Sequence, residues 1–172
     1  MKFKDEVKLN KLKGIITFKK RNVVTGVTEI ISEENVILTQ SRTFMRDLLA
    51  GDDTGIIKIQ VGDCNKELGD EADEQCTASE DDTELTNKFF DKDFDTRESI
   101  TYNDGDEDYP AVKYTFIINS DEANDSNNDD NERKLWCEYG LGNNNGDIWN
   151  RKIKPIIKDD ESEITIVWTI IF

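Results

Sequence analysis

The sequence contains no histidine. The side chain most often used as a general base and as a metal ligand is therefore missing, and chemistry built around imidazole is excluded. There are three cysteines, Cys64, Cys76 and Cys137. An odd number argues against a disulfide-stapled secreted module. Cys64 and Cys76 lie in one acidic stretch and are able to pair, but a chain folded in a reducing cytoplasm is the simpler reading. The cysteines are too scattered along the chain for a structural zinc site. No apolar run has membrane-spanning length, and the lysines after Met1 lead into no apolar signal core. The chain is therefore expected to be made and assembled inside a cell rather than exported, with no membrane span. No nucleophile elbow, phosphate loop or dinucleotide fingerprint is visible. The sequence thus gives no reason to expect an enzyme or a cofactor, and it assigns no catalytic, cofactor-binding or metal residues.

Hydrophobic residues make up 35% of the 172 positions, a low share for a globular domain. They are concentrated in runs such as GIITF, IIKIQV, VKYTFII and ITIVWTIIF, which implies a modest core between long solvated loops rather than a disordered chain. The net charge is −16. Residues 1–60 carry 11 basic and 8 acidic side chains, a balance of +3, and residues 61–172 carry 11 and 30, a balance of −19. So acidic a surface repels phosphate backbones, and no direct nucleic-acid binding is expected.

The organisation expected is a basic tail over 1–11 followed by a single domain over 12–172. LKGIITFKK at 12–20 and VTEII at 27–31 read as a hairpin turning around Thr25–Gly26, and NVIL at 35–38 as a short third strand. Phe44, Leu48 and their neighbours recur at spacings of three and four, which predicts a helix over about 39–50 capped by Thr39 or Ser41 and ended by Gly51. IIKIQVG at 56–62 is a strand. The chain from 63 to 84 holds ten acids and one lysine and reads as a long exposed loop. Residues 88–102 resume an extended pattern, DGDED at 104–108 is a turn, and AVKYTFIIN at 111–119 is a strong strand. A second exposed acidic loop covers 120–132. KLWCEYGL at 134–141, IWNRKIKPI at 148–156 and EITIVWTIIF at 163–172 complete the set. The fold class is mainly β: an antiparallel β-sandwich of about seven to nine strands with one short α-helix and long acidic loops.

Three candidate chemistries deserve weighing. A pair of glycosidase carboxylates needs shaped, partly buried surroundings, whereas most acids here sit in polar loops. Asp104, Asp106 and Asp108 alternate around Gly105 like part of a calcium loop, but the glycine and glutamate of the full signature are absent; an acidic hairpin turn is the preferred reading, and Asn143, Asn144, Asn145 and Asp147 are a weaker case of the same kind. Trp136, Trp149 and Trp168 lie in strand-like runs, where tryptophan is more often a core or interface anchor than a sugar platform. In the final run Ile164, Ile166, Trp168 and Ile170 form one apolar face, Val167 and Ile171 add apolar surface to the other, and the apolar Phe172 ends the run. That run is expected to lie centrally in the sheet with its end near a neighbouring subunit. Phe172, Ile171, Trp168 and Trp149 are the interface candidates.

Several of these pieces together resemble a group of bacteriophage virion proteins. A hairpin with a TG turn, NVIL, SRTFMRDLLAG and IIKIQVGD follow one another as in that group's strand, N-x-h (h apolar), helix ending L-L-A-G, and I-x-x-I-x-V-G. DDTELTNKFF at 81–90 looks like its T-x-L-x-x-E element, with Asn87 or Lys88 where an acid is common. IINSDEAN resembles a strand followed by S-x-E-A-N, CEYGL resembles E-x-G-L, and the final 25 residues resemble a pattern closing on I-x-W-x-I-x-F. The likeness spans most of residues 12–172 in the same order. It implies a structural role in the tail, baseplate, fibre attachment or neck/collar, located in the virion. Its partners would be other phage virion proteins and further copies of this chain in a ring or fibre base. It supplies no catalytic residues. The alternatives are a receptor- or glycan-binding module of a fibre, with or without calcium, and a capsid decoration protein. The acidic stretch at 63–84 and the polar insertion at 124–132 depart from the pattern.

Overall fold

In a computed structural model the protein is described over residues 12–41, 45, 55–56, 58–64, 76–124, 133–144 and 146–172. The described chain is mainly β, with nine strands: β1 (Lys13–Asn22), β2 (Thr28–Ile37), β3 (Lys58–Gly62), β4 (Lys88–Asp93), β5 (Thr96–Asn103), β6 (Asp108–Ile118), β7 (Lys134–Gly142), β8 (Ile148–Lys158) and β9 (Ser162–Ile171). All pairings are antiparallel. The strands form one sheet in the order β4-β3-β7-β8-β2-β1-β9-β6-β5, curled into a half-barrel.

The curl has local causes. β2 pairs with β1 over Thr28–Asn35 and then swings to β8 through Val36 and Ile37. Two strands expected at 27–31 and 35–38 are thus one bent strand. Its central Glu33 meets Lys152 and Lys154 of β8 at 2.7 and 2.6 Å. At the other side, the two edges of the sheet, β4 and β5, are consecutive in the chain and joined only by Phe94 and Asp95. Asp95 fixes this corner: its backbone N–H donates to the Thr115 carbonyl at 2.8 Å, and its carboxylate accepts from the Ile117 N–H at 2.6 Å. The Phe94 ring packs edge-on against Tyr114, 5.9 Å between centroids.

Side chains at alternate positions enter the concave side of the curl, as the period of a strand dictates. β1 contributes Ile16 and Phe18, β6 contributes Tyr114, Phe116 and Ile118, and β9 contributes Ile164, Ile166, Trp168 and Ile170. From the facing strands come Ile59, Val61, Trp136, Tyr139, Leu141, Trp149 and Ile156. Burying each such side chain stabilises the fold by about 1.5–3 kcal/mol. β9 lies between β1 and β6, so the most apolar run of the sequence is flanked by strands on both edges, as expected.

Of the helix expected at 39–50, Thr39 and Gln40 form a turn, Ser41 and Met45 are helical and Met45 packs against the core; residues 42–44 and 46–50, Phe44 and Leu48 among them, lie outside the described residues. So do residues 1–11, 65–75 and 125–132 of the expected tail and loops.

Candidate functional site

The turn between β1 and β2 is built by Asn22. Its Oδ1 accepts from the backbone N–H groups of Val24 and Thr25 at 3.0 and 2.7 Å, and Gly26 takes a left-handed φ of 75°. Asparagine side chains commonly close turns in this way. The consequence is that Val23, Val24 and Val27 have no sheet to pack on. Val24 is 72% exposed, and Ile30 on the outward side of β2 is also exposed. The turn at Thr25–Gly26 is where the sequence places it; its apolar tip, carried by VVTGV, was not anticipated.

The four interface candidates divide. Trp168 points inward from β9 and is fully buried, in register with Ile16 on one side and Tyr114 on the other. Trp149 and Ile171 are buried as well. These three serve the interior of the described chain, which corrects their assignment as interface groups. The alternation that faces Trp168 inward also removes it from any partner. Phe172 alone remains accessible, at 42%, with its backbone N–H donating to the Pro110 carbonyl at 3.0 Å. The β1–β9 register runs from Lys13 opposite Ile171 to Asn22 opposite Ser162. Phe172 and the valine tip therefore sit at opposite ends of one ladder, roughly 30 Å apart at the usual rise per residue.

A polar cluster lies on the convex side of β7 and β8, beneath the segment leading into β4. Glu138 of β7 is fully buried. Its Oε2 accepts from the Thr86 N–H at 2.9 Å and from Arg151 Nη2 at 2.6 Å, and its Oε1 accepts from the Asn87 N–H at 2.8 Å. Arg151 of β8 also donates to Asp82 at 2.7 Å and to the Thr86 hydroxyl at 2.9 Å. Asn87 Nδ2 donates to Asp63 at 2.7 Å, and Lys134 lies 3.2 Å from the same carboxylate. Leu85, between these polar contacts, is buried with Leu38 and Ile148 in a second small core. The stretch expected to be a solvated loop over 63–84 is thus held down at both described ends: Asp63 and Cys64 are buried, and 76–87 is pinned by ion pairs, backbone bonds and Leu85. A charge inside the apolar strand LWCEYGL was the available signal for Glu138.

Cys64 and Cys76 form a disulfide with Cα atoms 6.1 Å apart. This corrects the expectation of reduced, scattered cysteines: two cysteines with a sequence separation of 12 are brought together by the fold. The acidic turn at 104–108 is a turn, as expected. Asp104 Oδ1 accepts from the Asp106 and Glu107 N–H groups, both at 3.0 Å, and these backbone bonds hold its carboxyl below the usual range. At the weaker asparagine candidate, Asn143 Nδ2 donates to Asp147 at 3.2 Å. On the far side of the sheet Lys158 is buried, its ammonium donating to the Ser120 carbonyl, Asn124 Oδ1 and the Asp159 carbonyl at 2.8–2.9 Å. Burial pulls its pKa down to about 8.

These features define a mainly β protein with one braced polar cluster and two exposed apolar ends. Comparison with models of protein families, with curated proteins and with solved structures finds no match.

Proposed function

We propose that this protein is a structural subunit of a bacteriophage virion, in the tail, baseplate, fibre attachment or neck/collar, acting through assembly rather than catalysis. Two considerations support this reading. The ordered likeness of residues 12–172 to phage virion proteins points to the setting. The observation that carries the assembly role is the pair of exposed apolar groups at opposite ends of the β1–β9 ladder, Val24 with its valine neighbours and Phe172. Two different patches at opposite poles suit head-to-tail contacts, which close into rings when the rotation allows. Exposed apolar clusters on otherwise charged surfaces commonly mark such contacts.

The test is fractionation of phage particles carrying a tagged copy of this chain. The tagged chain should sediment with intact particles or tails and resist removal by salt. Recovery only in the unassembled fraction would overturn the proposal, and selective binding on a glycan array would favour a receptor-binding module instead.

A further inference from the structure

We propose that the reduced protein binds one thiophilic divalent metal ion, zinc by preference, through Cys64, Cys76 and Glu138. The ligand atoms of these three residues lie within 4.8 Å of one another. They come from three separate places: the exit of β3, the segment before β4, and the middle of β7. A tetrahedral zinc ion takes sulfur at about 2.3 Å and carboxylate oxygen at about 2.0–2.2 Å, so small side-chain rotations would close such a cluster around one ion.

Three further observations aim these groups at a shared point. A carboxylate has about four lone-pair positions. Glu138 uses two on Oε2, for Thr86 N–H and Arg151, and one on Oε1, for Asn87 N–H. One position on Oε1 is left over in a fully buried side chain. Beside that oxygen the chain carries Gly62, where an added Cβ would stand 2.6 Å from Oε1. The same Cβ would stand 2.6 Å from the Asn87 carbonyl oxygen, so only a glycine lets the carboxylate and the segment before β4 approach the exit of β3 this closely. Cys64 itself has a φ of 58°, a left-handed conformation that costs a non-glycine residue and tends to persist where the surroundings demand it. The charges also balance. Two thiolates and one carboxylate total −3, the ion supplies +2, and Arg151 on Oε2 supplies a +1 that it shares with Asp82, which leaves the site close to neutral. Water would take the fourth position, as at open zinc sites.

The disulfide and the metal site are alternatives. A phosphine reductant breaks the S–S bond, delivering two electrons. The phosphorus takes its oxygen from water, whose two hydrogens go to the two sulfurs. Metal binding then releases both protons to solvent, leaving thiolates as ligands.

The experiment is anaerobic titration of the phosphine-reduced protein with Co2+, followed by displacement with Zn2+. The expected result is one ion per chain, a thiolate-to-cobalt charge-transfer band, and a higher melting temperature for the reduced protein with metal than without it. The Cys64→Ser/Cys76→Ser variant should lose the band. Cys137→Ala should retain it. Glu138→Gln should weaken binding at least as much as loss of an outer-shell partner does, about 10–100-fold. No uptake by the reduced protein, uptake without the thiolate band, or an unchanged band in the double serine variant would each overturn the proposal. If Glu138→Gln fails to fold, X-ray absorption of the zinc-loaded protein decides: two sulfur and two oxygen neighbours support the site, and any other sulfur count refutes it.

Discussion

Arg151 and Glu138 are diagonal neighbours on β8 and β7, joined Nη2 to Oε2 at 2.6 Å with the carboxylate fully buried. The pair does more than neutralise charge. Arg151 reaches on to Asp82, and Glu138 receives the Thr86 and Asn87 amides, so both hold the same crossing segment onto the sheet. Breaking a buried pair leaves an uncompensated charge. Arg151→Met should therefore cost about 3–5 kcal/mol in urea unfolding. The double variant Arg151→Met/Glu138→Gln should cost less than the sum of the two single losses, because the stranded charge is gone. A single-variant loss under about 1 kcal/mol would mean that the segment is held without the pair.

Leu85 tests the apolar part of the same clamp. It is buried with Leu38 and Ile148, and Leu85→Ala should cost about 2–5 kcal/mol. Amide exchange at Thr86 and Asn87 should accelerate with it. Unchanged protection at those two amides would separate Leu85 from the seating of the segment.

Lys158 gives a signature in alkali. Its folded pKa, about 8, lies below the ordinary lysine value of about 10.4 because burial disfavours the charge. Between those two values the unfolded chain binds more protons, so this residue makes stability rise with pH across that window. Below pH 8 both states are charged, and the gain is absent. Lys158→Met should remove the rise, read as the difference between wild-type and variant unfolding free energies from pH 7 to 10. Parallel pH profiles would show that Lys158 titrates normally. Above pH 10 the buried Tyr139, whose ionisation burial opposes, acts in the opposite direction.

Head-to-tail assembly makes a complementation prediction. Val24→Asp and Phe172→Asp each place a charge on one exposed apolar end, and both variants should stay folded by circular dichroism because neither position is core. Each alone should fail to enter particles and remain monomeric by light scattering. Mixed together they should form dimers and nothing larger, since one intact end remains on each. Normal incorporation of Phe172→Asp would remove the interface role of that end, and collapse of the monomer would make Phe172 an internal support.

Strand positions were legible in the sequence, because alternation along a strand is a local property. β1, β6, β7, β8 and β9 lie where GIITF, VKYTFII, LWCEYGL, IWNRKIKPI and ITIVWTIIF predict, and the central place of β9 follows from its apolar character on both faces. The Thr25–Gly26 and DGDED turns were readable for the same reason: asparagine, aspartate and glycine bond or bend within a few residues. Beyond the β1–β2 hairpin, which strand lies beside which was not readable. That choice depends on contacts between distant segments, and it alone made β2 one bent strand and brought the two edge strands to a two-residue corner. The same long-range pairing put Glu138 under Arg151, closed Cys64 onto Cys76, sent Trp168 and Trp149 inward, and left Val24 and Phe172 at opposite ends of one ladder. Residue types and their spacing determined what each strand could bury; only the curl of the sheet decided which groups met inside it and which were left facing out.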